Sequence, residues 1–107
     1  MSLYIDKLKL QYIAFNKVIF MKNLSAVNEQ ELKKFYAIVS SNVKKIRKQK
    51  NKPQLDLVLE MGLKSTSFFS KCENVKDNHH FNLEHIYKIA VALNVDISEF
   101  FEGVNTI

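Results

Sequence analysis

Residues 53–74 read PQLDLVLEMGLKSTSFFSKCEN. Proline holds φ near the helical value and lacks an N–H that a first turn would leave unpaired, so Pro53 suits the start of a helix. Gly62, one of two glycines in the chain, suits its stop. Leu55, Val58, Leu59 and Met61 lie between them, available to pack. A second short helix follows in TSFFSKCEN. On it Ser67, Ser70, Lys71 and Asn74 recur at three- and four-residue spacing as one polar face, with Phe68, Phe69 and Cys72 mostly opposite. Two short helices parted by a tight turn therefore sit at the centre of the fold.

The flanks extend the same pattern. Upstream, Asn28 followed by Glu29 and Glu31 reads as an N-cap with acids in the first turn. Leu32, Phe35, Tyr36, Val39, Val43 and Ile46 then form one apolar stripe on a long helix. It should end near Asn51, because Pro53 disfavours helical geometry just before it. Downstream, VKDNHHFN (75–82) is a polar loop, and Asn82 caps a helix that buries Leu83, Ile86, Ile89, Ala90 and Leu93. Asp96 or Ser98 opens a short last helix with Ile97, Phe100 and Phe101. Sheet proteins need turn residues at every corner, and two glycines and one proline are too few for them. The expected fold class is all-α, a compact domain of five helices over residues 28–104 with an N-terminal extension over 1–27. Within the extension, residues 1–24 mix strand-like alternation with helix-compatible residues. A dimerisation arm, a cover on the domain and partial disorder all stay open for it, as does an alternative start at Met21.

Composition bounds the function. The chain has 107 residues, 47% hydrophobic and 25% charged, which is ordinary for one globular domain. Its net charge is +5 and its isoelectric point about 9.3, which suits an anionic partner, nucleic acid before membrane. Lys44, Lys45, Arg47, Lys48, Lys50 and Lys52 crowd the end of the first long helix. Cations there complement the helix dipole, but six are more than a dipole needs, so some are expected on phosphate. Cys72 is the only cysteine, so no intrachain disulfide can form. Asp6, Lys7, Lys9, Lys17 and Lys22 interrupt the apolar N-terminal region below the length of a membrane span or a signal-peptide core. A cytoplasmic, soluble protein is expected.

Catalytic and metal chemistry find little support. A Ser or Cys nucleophile needs a base in reach and a third group to orient it. No His lies near the hydroxyls of 65–70 in sequence, and no glycine-flanked nucleophile elbow surrounds them. His79, His80 and His85 lack a helical four-residue pair and a companion CxxC, so no metal site and no cofactor are expected. The protein is not expected to be an enzyme.

Taken together, IRKQKNKPQLDLVLEMGL, SKCEN and LEHIYKIAVALNVDISEFF resemble the Cro and lambda-repressor type of helix-turn-helix family over about residues 43–102. The resemblance rests on Gln54, Leu57, Gly62, Ser70, Glu73, Asn74, Ala90 and Leu93 in order. It implies that Gln54 binds phosphate and braces the recognition helix, and that Gly62 is the turn glycine. It places Thr66, Ser67 and Lys71 toward bases, Lys64 and Ser65 beside the DNA backbone, and Lys76 in a phosphate-touching loop. It also implies inward positions for Phe69 and Cys72 and a buried ion pair between Arg47 and Glu73. Departures are visible: Pro53 stands for a Ser cap, Val58 for a small Ala, and Val75 for a glycine.

The function so implied is sequence-specific binding of double-stranded DNA at a palindromic operator by a homodimeric transcriptional regulator. Its action would be that of a repressor or a restriction-modification controller. Leu93, Ile97, Phe100, Phe101 and Val104 are the expected dimer surface. The alternative is an antitoxin-like interaction module, with a protein partner held by the N-terminal extension and DNA binding secondary.

Overall fold

The computed structural model describes residues 27–106. Their regular structure is entirely helical, with no strand among the described residues. Four α-helices, α1 (Glu29–Gln49), α2 (Gln54–Met61), α3 (Thr66–Glu73) and α4 (Leu83–Leu93), precede two 3-10 segments, Ile97–Phe101 and Val104–Thr106. The roles expected of residues 1–24 fall outside the described residues.

Side-chain caps open three of the four helices. Asn28 Oδ1 accepts from the Glu31 N–H at 2.8 Å, and Ser65 Oγ accepts from the Phe68 N–H at 3.2 Å. Each satisfies a donor that the first turn leaves without an intrahelical partner. Pro53 opens α2 from an extended conformation (φ −66°, ψ 153°) with no side-chain cap. At α4 the bonding is reciprocal: the His85 N–H donates to Asn82 Oδ1 at 2.8 Å, and the Asn82 N–H donates to His85 Nδ1 at 3.1 Å.

That second bond requires an unprotonated Nδ1, which gives the helix a pH dependence. Burial holds the His85 pKa below its ordinary 6.5; Lys88 and His80 act in the same direction and Glu84 against it. A group whose folded pKa is depressed loses its stabilisation as pH falls from the unfolded value through the folded one. The domain is therefore expected to weaken below about pH 6.5, by about 1 kcal/mol or about 4–8 °C in Tm, when this cap bond is lost. Thermal melts between pH 8 and 5 check it: His85→Gln, which retains a cap acceptor, should flatten the profile.

All four helices end in one backbone motif. A residue in the left-handed region follows each: Asn51 (φ 54°), Gly62 (73°), Val75 (50°) and Asn94 (54°). The next N–H reaches back to a carbonyl in the last turn: Lys52 to Arg47 at 3.0 Å, Leu63 to Val58 at 2.9 Å, Lys76 to Lys71 at 2.8 Å and Val95 to Ala90 at 3.1 Å. Gly62 and the two asparagines tolerate that conformation. Val75, β-branched, does so at a cost of about 1–2 kcal/mol, at the position where the resemblance places a glycine.

Val39, Val43 and Ile46 of α1 meet Leu57, Val58 and Met61 of α2, Phe69 and Cys72 of α3, Phe81, the inner face of α4 (Ile86, Ile89, Ala90, Leu93) and Phe100. Ser40 Oγ donates to the Cys72 carbonyl at 3.0 Å and ties α1 to α3 inside this core.

Several expected positions are corrected. On α2, Leu55 and Leu59 face solvent and Leu57 is buried in their place. Leucines on both faces of so short a helix leave periodicity unable to choose between them. Leu32 and Leu83, each in the first turn of its helix, are exposed rather than buried. The expected fifth α-helix is the 3-10 segment Ile97–Phe101. Asn42 Nδ2 donates to the Phe100 and Glu102 carbonyls at 2.9 Å each, and Gly103 (φ 87°) turns the chain at once, so no α-helical ladder continues there. Of the expected dimer surface, Leu93 and Phe100 are core, and Phe101 and Val104 pack against it, leaving Ile97 the most exposed. No helix of the described residues is long and apolar enough to cross a membrane.

Candidate nucleic-acid interface

The inner side of α3 determines what its outer side presents. Phe69 and Cys72 are fully buried, and burial pushes the Cys72 thiol up to about 11. It is a protonated core thiol at neutral pH. Glu73, also buried, receives two bonds from Arg47: Nε to Oε2 at 2.8 Å and Nη2 to Oε1 at 2.9 Å. The third guanidinium nitrogen, Nη1, donates to the Lys52 carbonyl at 2.9 Å. Gln54 Nε2 adds a bond to Glu73 Oε1 at 3.0 Å. One carboxylate thus joins the end of α1, the start of α2 and the end of α3. Such a pair is geometrically exacting, since a buried charge must keep every partner.

With that side held, Ser67, Ser70 and Lys71 of α3 and Asn74 at its C-cap face an open groove completed by Lys76 and Asp77. Asn74 Nδ2 donates to the Ser70 carbonyl at 2.9 Å and so keeps its amide on this face. Lys71 Nζ lies 3.7 Å from Asp77 Oδ2, both side chains well exposed. The groove offers hydroxyl, amide and ammonium donors, together with a carboxylate that can accept from a cytosine amino group.

The expected site residues divide into three groups. Ser67, Lys71 and Lys76 come together in the groove. Lys64, Ser65 and Thr66 are exposed at the N-terminal end of α3, with the Ser65 hydroxyl engaged as its cap. Gln54 is half-buried and reaches α3 through Glu73. Ser70 and Asn74 complete the polar face legible at helical spacing. Asp77 had no such signal, because a left-handed loop residue (φ 53°) brings it back beside Lys71.

The basic run at the end of α1 thins in three dimensions. Arg47 is spent on Glu73, and Lys52 Nζ pairs with Glu60 Oε1 at 2.6 Å. Lys45, Lys48 and Lys50 remain exposed, with Lys44 half-buried. The three histidines serve packing and capping: His80 stacks on Tyr36 with ring centroids 3.7 Å apart, and His79 and His85 meet Phe68 edge-on at 5.7 Å. Among the described residues, no group of three or more His, Cys, Asp or Glu is gathered so as to hold a metal ion. No protein-family model matches the chain, and a search of curated proteins finds no match.

Proposed function

We propose that the chain is a cytoplasmic, helix-turn-helix transcriptional regulator that binds double-stranded DNA sequence-specifically as a homodimer, with the action of a repressor or a restriction-modification controller. One observation carries the reading. The short helix α3 is locked to the core by Phe69, Cys72 and the Arg47–Glu73 pair, while Ser67, Ser70, Lys71 and Asn74 face outward beside Lys76. A rigid helix with an exposed polar face is what major-groove reading needs, and the tight α2–α3 turn at Gly62 supports it. In this reading Lys71 and Asn74 address base edges, Lys76, Lys64 and the lysines at the end of α1 contact phosphates, and Gln54 fixes the register. Two copies about 34 Å apart would read a palindromic site.

Selection of bound genomic fragments, followed by shift assays at several salt concentrations, tests the reading. One enriched, symmetric motif is expected, with affinity falling as salt rises. Lys71→Ala should relax preference at one base step by about 1–3 kcal/mol, whereas Lys76→Ala should weaken all sequences alike and lower the salt slope by about 1. Failure to enrich any motif would remove the specific regulator, and salt-independent affinity would remove the phosphate contacts.

A further inference from the structure

The outer face of α4 carries apolar side chains that the core of the described residues does not use. Leu83, Tyr87 and Val91 recur at four-residue spacing and are 78%, 64% and 63% exposed. Leu59 of α2, 69% exposed, lies beside Tyr87 and Val91 in a shallow groove floored by Met61 and Ala92. Scattered apolar residues are normal on a protein surface, whereas a continuous strip of large ones marks an interaction site. Tyrosine at its middle suits an interface, being mostly apolar with one polar tip.

The charges beside the strip identify the occupant. Glu84 and Lys88 run alongside it, 3.5 Å apart and well exposed. We propose that this face is the homodimer interface and that α4 packs antiparallel against α4 of a second copy across a two-fold axis near Tyr87. About that axis Leu83 meets the partner's Val91, Tyr87 meets the partner's Tyr87, and Glu84 comes opposite the partner's Lys88. A parallel pairing, whose two-fold runs along the helices, would carry Glu84 and Lys88 to opposite flanks of the seam and leave them without these partners. Glu84 with Lys88, and Glu60 with Lys52, leave the strip's margin locally neutral in a chain of net charge +5, so two copies approach here without the repulsion that the lysine-rich surfaces impose. The inference rests on the homodimer of the preceding reading and moves its interface from Leu93 and Phe100, which are core, to the outside of α4.

Sedimentation of the full chain without DNA tests the interface independently of DNA recognition. The wild type is expected to be dimeric at micromolar concentration, and Tyr87→Glu monomeric. Glu84→Lys and Lys88→Glu should each weaken self-association by about tenfold, since each turns two attractive pairs repulsive. An equimolar mixture of these two variants should associate again, because each supplies the charge the other lacks. The double exchange Glu84→Lys, Lys88→Glu should restore the homodimer. Helical circular dichroism of each variant confirms that the monomer is intact, and a variant that has lost it is set aside in favour of the mixing experiment on the others. A monomeric wild type overturns the inference, including the case in which residues 1–26 cover α4. A dimer indifferent to all these changes, or a mixture no tighter than its components, overturns the interface while leaving the homodimer standing.

Discussion

Glu73→Ala is expected to remove about 3–5 kcal/mol of folding stability, the usual result of stripping one partner from a buried ion pair. Its carboxylate is fully buried, and the Arg47 side chain is 9% exposed, so water cannot replace the lost acceptor. Two guanidinium nitrogens would lose their bonds and Gln54 would lose its anchor, leaving only the contact with the Lys52 carbonyl. Domains of this size have about 5–15 kcal/mol in total, so urea denaturation should show a midpoint shifted toward zero denaturant. Removing both charges by Arg47→Met with Glu73→Met should be far milder than Glu73→Ala, because no uncompensated charge is left behind. A single-variant loss below about 1 kcal/mol would mean that the pair is solvated in solution.

Phe100→Ala should cost a comparable amount, about 3–5 kcal/mol, by opening a large cavity. The side chain is fully buried and belongs to a 3-10 segment that packs on both α1 and α4. Its own carbonyl accepts from Asn42, so ring and backbone fix the end of the domain at the same point. Loss of the ring should therefore also free the segment from Ile97 onward, seen as faster amide exchange and earlier proteolytic cleavage there than in α1. Phe100→Leu should recover most of the loss, since it keeps much of the volume. If Phe100→Ala unfolds at wild-type denaturant concentration, the segment is not part of the cooperative unit.

Helix boundaries were legible where a single residue carries the signal. Asn28, Pro53, Gly62, Asn82 and Asp96 act at the positions their chemistry suggests, because caps and turns depend on neighbours within a few residues. Faces were harder. Helix α2 has leucine at 55, 57 and 59, and only the packing of α3 and α4 decides that Leu57 goes inward. The stripe of α4 likewise begins at Ile86 rather than Leu83, since the first turn meets Phe68 and Phe81 through His85 and leaves Leu83 on its solvent side. In the groove, Ser67, Ser70, Lys71 and Asn74 were visible as one face, but the pairings Lys52–Glu60 and Lys71–Asp77 were not. Both cross from one element to another, and their geometry is set by turns rather than by a repeat.

Val75, with its left-handed backbone, has a consequence best put in genetic terms. Valine and glycine codons differ only at the second base, so a relaxed residue at the end of α3 lies one nucleotide substitution away. Releasing the strain while adding chain freedom to the unfolded state leaves a net gain of about 1 kcal/mol. The domain thus carries a reserve of mutational robustness at one codon. A lineage that accumulates damage elsewhere in the core can draw on that reserve in a single step, without altering any side chain that faces the groove.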